Sequence, residues 1–197
     1  MTTIVRNVSD LRKRVDKWHG QSQKVALVPT MGYLHNAHIA LIEAGKQICS
    51  RTVVSIFVNP RQFGPKEDFE KYPRDEQRDL AMLANHQVDL AFVPSLEEMY
   101  PLKFSTVVSV PSLTQTLCAN TRPSHFSGVA TVCAKLFNQC RPDVAVFGEK
   151  DYQQLQMIRQ LVKDLDIPTE ICGVPTVRET DGLAISSRNV YLSKQER

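Results

Sequence analysis

Two histidines separated by three positions follow the end of an apolar segment near the start of the chain. The stretch reads VPTMGYLHNAHIALI over residues 28–42, and His35 and His38 stand where a new apolar pattern begins. In the first turn of a helix, such a pair would share one side with backbone N–H groups that carry partial positive charge. Phosphate oxygens bind there, and imidazoles can donate hydrogen bonds and move a proton near neutral pH. The alternative is two histidines that only cap or line a helix.

A second group of polar residues follows another apolar run, in FGEKDYQQLQMIRQL at residues 147–161. Gly148 would allow a tight turn. Lys150 could neutralise phosphate charge, and Gln154 could offer an amide to a hydroxyl or a carboxylate. The alternative is a plain helix start with Asp151 as its N-cap.

A third group lies in DGLAISSRNVYLS at residues 181–193. Ser186, Ser187 and Arg188 present two hydroxyls and one guanidinium, which suit the β- and γ-phosphates of a nucleotide. A polar turn is the alternative. Gly32, in the first stretch, would let the backbone approach a nucleotide closely. The joint occurrence of the three groups is much less easily accidental than any one of them.

The elements that must position these residues follow from the apolar pattern. Short runs rich in Val, Ile and Phe and stopped by Pro, Asn or Gly predict buried strands at KVALVP, TVVSIFV, VDLAFVP and VAVFG. Helical spacing lies between or after them, in HIALIEAGKQI, DEQRDLAMLANHQ, GVATVCAKLFNQC and DYQQLQMIRQLVKDL. This alternation predicts an α/β fold with a parallel sheet. Ligands bind beyond the carboxyl ends of such strands, so the histidines belong at an active-site edge.

Two helix starts can be predicted from capping residues. Ser9 can cap a first helix whose apolar positions Leu11, Val15 and Trp18 indicate one buried face. Asp75 is a plausible N-cap of the later helix in DEQRDLAMLANHQ.

Length and charge limit the function classes. The chain has 197 residues with 42% hydrophobic content, enough for one domain with a good core. A net charge of +3, from 24 Lys and Arg against 21 Asp and Glu, does not indicate a nucleic-acid or membrane surface. An anionic small substrate is compatible with it.

Cysteine usage and the N-terminus indicate a soluble, cytoplasmic protein. The N-terminus has no apolar signal region, and no stretch approaches the ~18 apolar residues of a membrane span. The five cysteines are odd in number and form no CxxC pair, which argues against a zinc ribbon or a disulfide framework. We therefore expect buried thiols in a reducing compartment at Cys49, Cys118, Cys133, Cys140 and Cys172.

Five ordered blocks within residues 25–193 closely resemble the pantoate:β-alanine ligase (pantothenate synthetase) family. They are PTMGYLHNAH, SIFVNPRQFGPKEDFEKYPR, RPSHFSGVATVCAKLF, FGEKDYQQLQMIRQL and GVPTVRETDGLAISSRNVYLS. The first resembles the HxGH-type element and the last the KMSKS-like loop of the nucleotidylyltransferase superfamily, at residues 35–38 and 185–188. The resemblance implies a Rossmann-like parallel sheet flanked by helices. It also implies an ATP- and pantoate-binding domain over residues 1–182, with residues 183–197 as the KMSKS-like loop and the start of a C-terminal lid domain.

The activity implied by the resemblance has two steps. Pantoate and ATP give pantoyl adenylate and pyrophosphate, and the β-alanine amine then attacks the acyl carbon to release pantothenate and AMP. Mg²⁺ would be held mainly by the ATP phosphates, without a metal site built by the protein. The family implies a cytoplasmic homodimer in the pathway to coenzyme A, with no nucleic-acid or membrane partner.

Roles carried over from the family fall into three groups. His38, as proton donor, and His35, Lys150 and Arg188 would be catalytic. The ATP-binding residues would be Pro29, Met31, Gly32, Gly148, Lys150, Asp151, Val177, Ile185, Ser186, Ser187 and Arg188. Gln62 and Gln154 would hold pantoate, and Asn59 and Tyr72 would lie where β-alanine enters. Neutral amides can bind the pantoate carboxylate without suppressing its nucleophilicity.

Two departures from the family pattern carry expectations. Family members usually have Gly between the histidines, and the methyl group of Ala37 could crowd a nucleotide and weaken ATP binding. The family continues into the lid, whereas this chain stops at Arg197. We therefore expect a fragment or a truncated chain whose open site excludes water poorly.

Two other function classes stay open from the residues alone. Cytidylyltransferases share the HxGH and SSR-type elements, but they transfer a nucleotide and stop; Gln62 and Gln154 favour a pantoate site instead. A non-catalytic nucleotide-binding or dimerisation module is the second, although the intact Lys150 and Arg188 speak against it.

The remaining histidines, cysteines and charges are expected to be structural. His19 and His86 are interpreted as surface or C-cap residues. His125 either borders the substrate pocket with Arg122 or is a loop histidine satisfied by backbone. Cys133 and Cys140 should pack in the core from one helix face. In GPKEDFEKYPRDEQRD the charges are interpreted as a solvated loop and a helix start, with Tyr72 as its site candidate.

Overall fold

A single parallel sheet forms the centre of the molecule. The computed structural model describes residues 1–65, 67–113, 122 and 124–197. In this part of the chain six strands pair in the order β1-β4-β3-β2-β5-β6, and each neighbouring pair is parallel. They are β1 Thr3–Val5, β2 Val25–Thr30, β3 Arg51–Ile56, β4 Leu90–Phe92, β5 Val144–Gly148 and β6 Glu170–Val174. The predicted Rossmann-like α/β fold is thereby confirmed.

Helices connect these strands. Numbered in chain order within the described residues, they are α1 Val8–His19, α2 Asn36–Ile48, α3 Glu76–Asn85, α4 Leu96–Met99, α5 His125–Cys140 and α6 Tyr152–Asp164. Short 3₁₀ segments lie at Pro60–Gln62, Pro111–Leu113, Glu149–Asp151 and Ser187–Tyr191. The four predicted strands are all present as β2 to β5, and the five predicted helices are present as α1, α2, α3, α5 and α6.

The strand order creates a crevice next to β2. From β2 the chain moves outward to β3 and β4, and it then returns to the other side of β2 to form β5. Connections therefore leave the carboxyl ends of β2 and β5 in opposite directions, which opens a binding crevice between them. Both predicted strand-to-helix edges, after Thr30 and after Gly148, lie at this point.

The core has two layers, one on each face of the sheet. Alternate residues of β2 point to opposite faces, so that Leu27 belongs to the cluster beneath α1, α5 and α6, whereas Val28 belongs to the cluster beneath α2 and α3. Leu11, Val15 and Trp18 of α1 are buried in the first cluster, as predicted.

The helix starts differ in part from the predictions. Asn7, not Ser9, caps α1, and its side chain accepts a hydrogen bond from the Asp10 amide at 2.8 Å. The prediction of Ser9 was wrong because Asn7 was overlooked, although Asn is an equally good N-cap residue. Asp75 caps α3 as predicted and accepts from the Arg78 amide at 3.0 Å.

The described cysteines are free thiols, and three of them are buried as expected: Cys49, Cys133 and Cys140. Burial raises the pKa of both Cys133 and Cys140 to about 12. Cys172 is half-buried, because it lies on the edge strand β6, so the expectation of burial was wrong for it. Cys118 lies outside the described residues.

The two histidines predicted at helix ends have specific contacts. His86 is the C-cap residue of α3, as interpreted. His19 ends α1, and its Nε2 lies 3.2 Å from a carboxylate oxygen of Asp143, so it ties α1 to the residue before β5. Across the described residues, no helix has the length and apolar character needed to cross a bilayer.

Candidate active site

A cleft of about 240 Å³ opens at the carboxyl ends of β2 and β5. Residues from all three predicted groups line it, together with the predicted Gln and Tyr positions. These are Pro29, Met31, His35, His38, Asn59, Gln62, Tyr72, Gly148, Lys150, Asp151, Gln154, Val177, Ile185, Ser186, Ser187 and Arg188. Ala37, the departure from the family pattern, also faces the cleft. The structure thus brings together side chains that are up to 159 positions apart, from Pro29 to Arg188.

Gly32 differs from the other predicted site residues because it is buried under the cleft wall. Its φ is +81°, and the following Tyr33 has a φ of +51°. A Cβ atom on Gly32 would approach both Asp79 Oδ2 and Ile56 Cγ2 to 3.0 Å. Glycine is required here by the turn and by the packing beneath it. The expectation that Gly32 itself approaches a nucleotide is therefore replaced by a supporting role.

Asp79 holds this turn in place and was missed by the sequence analysis. It is 1% exposed. Its two carboxylate oxygens accept hydrogen bonds from the amides of Tyr33 and Leu34, each at 2.7 Å. Burial raises the pKa of Asp79, while the bonds from the Leu34 and Tyr33 amides oppose that shift. The interpretation of residues 64–79 as solvated charges was wrong here, and a signal was available: Asp79 shares a helix face with the buried Leu83, four positions later.

The histidine pair lies at the start of α2. His35 is the N-cap residue and His38 lies in the first turn, with ring centroids 4.0 Å apart. The His35 amide donates to His38 Nδ1 at 3.3 Å. Because Nδ1 accepts, the proton of a neutral His38 must be on Nε2. His35 Nδ1 is buried and has no hydrogen-bond partner among the described residues.

Both imidazoles are neutral at pH 7 in this structure. Burial lowers the pKa of His35 to about 4, with a further contribution from Lys150. Burial, His35 and Lys150 lower the pKa of His38 to about 3. Each ring can therefore donate one hydrogen bond, but neither carries an extra proton near neutral pH unless a bound anion stabilises the imidazolium.

The residues after β5 form a short turn before α6. Lys150 Nζ lies 3.4 Å from Asp151 Oδ1 in the 3₁₀ segment Glu149–Asp151. Asp151 is the N-cap residue of α6, but within the described residues its side chain makes no capping hydrogen bond. Gly148 has φ −80° and ψ 141°, which other residues also adopt. The predicted turn is present, but its backbone does not require glycine at position 148.

Gln62 also lines the cleft, in a segment packed closely against α5. A Cβ atom on Gly128 of α5 would lie 2.2 Å from the backbone oxygen of Arg61, so only glycine permits this approach. The carbonyl of Gln62 lies 2.9 Å from His125 Nδ1. His125 contacts backbone, as in the second of its two predicted alternatives, but it is the first residue of α5 and not a loop residue. Tyr72 is 5% exposed at the edge of this region.

Arg188 is held by an acidic residue that the sequence analysis also missed. Its Nε and Nη2 donate to the two oxygens of Asp68 at 2.8 and 2.9 Å. The guanidinium carbon lies 5.3 Å from the centre of the Tyr72 ring. The hydrogen bond from Arg188 lowers the pKa of Asp68. Ser187 Oγ donates to the Tyr33 carbonyl at 3.2 Å, which connects the serine loop to the histidine turn.

Asp68 and its neighbour Glu67 show why the loop was misinterpreted. Glu67 forms an ion pair with Arg122 at 2.6 Å, so both acids bind arginines that lie more than 50 positions away in the sequence. Pairing of this kind leaves no local pattern in the sequence. Within the described ranges, no group of three or more His, Cys, Asp or Glu side chains could hold a metal ion.

The chain is similar to proteins of one family over almost all of its length. A family model described as Pantoate-beta-alanine ligase matches residues 3–197. A pantothenate synthetase of Paramagnetospirillum magneticum is 55% identical over 98% of this chain and 68% of its own. A solved pantoate–β-alanine ligase of Thermus thermophilus is 52% identical, with a TM-score of 0.94 over 98% of this chain and 69% of its own.

A third relative carries ligands. The pantoate–β-alanine ligase of Francisella tularensis, solved in complex with Beta-gamma ATP and β-alanine, is 40% identical to this chain. Its TM-score is 0.94, over 98% of this chain and 74% of its own.

Proposed function

Because this chain belongs to the pantoate–β-alanine ligase family and is a ligase, we propose that it condenses pantoate with β-alanine in two steps driven by ATP. In the first step the pantoate carboxylate attacks the α-phosphate of ATP, and pyrophosphate leaves. In the second step the β-alanine amine attacks the acyl carbon of pantoyl adenylate, and AMP leaves. The observation that carries the proposal is one cleft that brings cationic and imidazole groups together with two neutral amides.

The cationic and imidazole groups suit the nucleotide. Lys150 and Arg188 supply positive charge, and the start of α2 adds partial positive charge next to His35 and His38. We assign the phosphates to these four residues together with Ser186 and Ser187. The nucleoside would contact Pro29, Met31, Gly148, Asp151, Val177 and Ile185, with Asp151 accepting from ribose hydroxyls. The ligands of the Francisella relative support an ATP and β-alanine site.

The two neutral amides suit pantoate. Gln62 and Gln154 offer amides that can bind hydroxyl and carboxylate oxygens without forming an ion pair. Tyr72 remains a candidate neighbour of β-alanine. Asn59 was predicted for the same place, but it is 1% exposed and fully engaged by protein groups. We therefore assign it a supporting role.

The proton chemistry follows from the neutral imidazoles. With Nδ1 of His38 accepting from the His35 amide, its Nε2–H is the group that can donate to a phosphate oxygen. As negative charge develops on that oxygen, it favours the imidazolium form of His38. The added proton goes to Nδ1, so the bond from the His35 amide must open before His38 acts as the proton donor.

Mg²⁺ would accompany ATP. We propose that the metal is held mainly by phosphate oxygens, where it would offset charge on the departing pyrophosphate. We further propose a cytoplasmic homodimer, with a nucleotide- and pantoate-binding domain over residues 1–182 and the KMSKS-like loop beginning at residue 183. These last assignments rest on the family resemblance.

Pantoate-dependent exchange of labelled pyrophosphate into ATP tests the first step without β-alanine. We expect exchange with wild-type protein and Mg²⁺, and a loss of about a hundredfold in Lys150→Ala, since removing one electrostatic donor commonly costs that much. Lys163→Ala is the matched control, because Lys163 is an exposed lysine at the other end of α6. Exchange that does not require pantoate would contradict the proposal, as would no exchange by wild-type protein that binds ATP in calorimetry.

The second step separates this activity from simple nucleotidyl transfer. Addition of β-alanine should release AMP and pantothenate in equal amounts. A protein that forms a nucleotidyl product but releases no AMP with β-alanine would favour the nucleotidyl-transfer alternative.

A further inference from the structure

We propose that Tyr100 and Asn59 are positioning residues that fix the orientation of the Gln62 side-chain amide. The NH₂ group of Gln62 then faces the cleft, where it prefers a ligand oxygen that accepts hydrogen bonds and cannot donate them. This inference deepens the proposed function, on which it rests, by naming what makes the Gln62 subsite prefer the carboxylate form of its substrate.

The orientation of the Asn59 amide is set by two backbone groups. Its Oδ1 accepts from the Arg61 amide at 3.2 Å, and its Nδ2 donates to the Gly128 carbonyl at 3.1 Å. A backbone N–H can only donate and a carbonyl can only accept, so the two ends of the Asn59 amide cannot be exchanged. Because Asn59 is 1% exposed, water cannot substitute for either partner.

Tyr100 completes the set of hydrogen bonds around Asn59. Its hydroxyl donates to Asn59 Oδ1 at 2.9 Å. Burial raises the pKa of Tyr100 to about 12, so this hydroxyl keeps its proton throughout the physiological pH range. The ring packs against Phe57 and Phe104, with centroid distances of 6.0 and 5.0 Å. Among the described residues Tyr100 is not part of the cleft lining, so it acts through Asn59.

The fixed Asn59 amide in turn orients Gln62. Asn59 Nδ2 donates to Gln62 Oε1 at 3.1 Å, which commits the oxygen of the Gln62 amide to the protein. The Nε2 group is left on the other side, where it donates to Met31 Sδ at 3.0 Å. A thioether is a weak acceptor, so a ligand oxygen can replace it. Both Gln62 and Met31 line the cleft.

The backbone of Gln62 is fixed as well. Its carbonyl lies 2.9 Å from His125 Nδ1 and accepts from Arg122 Nη2 at 3.4 Å. With the main chain held in this way, the bonds from Asn59 and to Met31 fix the orientation of the terminal amide. Gln62 then presents the N–H donors of Nε2 to the cleft, while its acceptor Oε1 stays bonded to Asn59. A carboxylate oxygen matches this arrangement, whereas the NH₂ of a carboxamide would meet another NH₂.

Asn59→Asp is the sharpest test. The new carboxylate would still accept from Tyr100 and Arg61, but it could donate neither to Gln62 nor to the Gly128 carbonyl. The Gln62 amide would then turn to donate to it and present Oε1 to the cleft. We expect the ratio of pantoate affinity to pantoamide affinity, measured by calorimetry, to fall at least about tenfold, the effect of about 1.4 kcal/mol.

Tyr100→Phe tests the first link of the chain. Loss of one hydrogen bond of about 1 kcal/mol should raise KM for pantoate about fivefold, and KM for ATP should stay unchanged. Tyr152→Phe is the control, because Tyr152 is 62% exposed and should not alter either constant. Urea unfolding of each variant separates loss of positioning from loss of folding.

The outcomes distinguish this inference from the proposed function. If wild-type protein shows no pantoate-dependent exchange, the proposed function itself fails. If wild-type protein shows exchange but the folded Asn59→Asp variant keeps the wild-type preference for pantoate over pantoamide, only the positioning role is overturned. An equal rise of KM for all substrates in Tyr100→Phe would also contradict it, because a general structural defect predicts that result.

Discussion

Two walls of the cleft are held in place in different ways. The histidine wall, residues 29–38, continues directly from the buried strand β2, and buried Asp79 fixes its turn through two backbone amides at 2.7 Å. The serine–arginine wall, residues 185–191, is held mainly by the ion pair between Arg188 and Asp68, whose side chains are 41% and 24% exposed. A hydrogen bond from Ser187 Oγ to the Tyr33 carbonyl links the two walls.

The two walls differ in whether a bound ligand can compete with the contacts that hold them. A carboxylate that is bonded to buried amides is out of reach of substrate and salt, so the histidine wall keeps its geometry before ATP binds. A half-exposed ion pair is screened by salt and lies in the path of an anionic ligand. Asp68 engages two N–H groups of Arg188, and the other guanidinium donors can bind phosphate. The first wall should therefore determine stability, and the second should determine nucleotide affinity.

Asp79→Ala should have the largest effect on stability. It leaves two buried amides without acceptors and removes the support of a turn with two positive φ angles, so we expect a loss of about 3 kcal/mol in the free energy of unfolding. Pyrophosphate exchange should fall more than about tenfold, since small misplacements of catalytic groups are costly. Urea unfolding and the exchange assay measure the two effects.

Asp75→Ala is the matched control for this variant on the same helix. It removes only the N-cap of α3, which is worth about 1 kcal/mol, because the Asp75 side chain bonds the Arg78 amide of its own helix. If Asp79→Ala is no more destabilising than Asp75→Ala, the histidine wall is not held by Asp79.

The histidine wall should contribute to the pH dependence of stability. The pKa values of His35 and His38 are lowered by burial to about 4 and about 3, below the ordinary value of 6.5. The unfolded chain therefore takes up protons below pH 6.5 that the folded chain does not, so the free energy of unfolding falls as the pH drops from 7 to 5. Each histidine can add at most about 1.4 kcal/mol per pH unit to the slope of the unfolding free energy against pH. The actual slope should be smaller, because both side chains are only half-buried and solvent screens them.

Urea unfolding at pH 7 and pH 5 measures this slope, which should be smaller in His38→Gln than in wild-type protein. Arg188→Gln on the other wall should leave it unchanged. The low pKa of Asp68 affects stability only below the ordinary range of Asp, about pH 4, and so outside this interval. Equal slopes in wild-type protein and His38→Gln would show that the imidazole of His38 is not kept neutral by folding.

Asp68→Asn should affect binding much more than stability. A half-exposed ion pair contributes less than about 1 kcal/mol to the free energy of unfolding. With Arg188 no longer oriented, we expect KM for ATP to rise about fivefold at low salt, and less at high salt. Glu76→Gln is a control, because it removes a comparable exposed ion pair, with Arg6, whose residues are not part of the described cleft lining. A destabilisation as large as that of Asp79→Ala would remove the distinction between the walls.

The two walls also differ in how far the sequence predicted them. The strands β2 to β5 carry apolar runs, so the edges after Thr30 and Gly148 could be located, and the site residues at these edges could be grouped correctly. The edge strands β1 and β6 were missed, because β1 has three residues and β6 is largely half-exposed, so neither shows a continuous apolar run.

The residues that support the site were mostly not predictable. Asp79, Asp68 and Tyr100 act through contacts with Leu34, Arg188 and Asn59, which are 45, 120 and 41 positions away. Local spacing records helices and strands, but it does not record which distant charge a loop residue will meet. Family resemblance identified the groups that face the cleft, and only the three-dimensional structure indicated what holds them.

Ala37→Gly should have the smallest effect and tests how tightly the histidine wall fits its ligand. Ala37 lines the cleft in the first turn of α2, where the family usually has glycine between the histidines. Loss of its methyl group should lower KM for ATP about twofold and cost less than about 1 kcal/mol of helix stability. Ala40→Gly is the control, because Ala40 also lies in α2 but is not among the described residues that line the cleft. It should lower the stability of α2 by a similar amount without changing KM for ATP. If both variants leave KM for ATP unchanged, the Ala37 methyl does not crowd the nucleotide, and the preformed wall accommodates either residue.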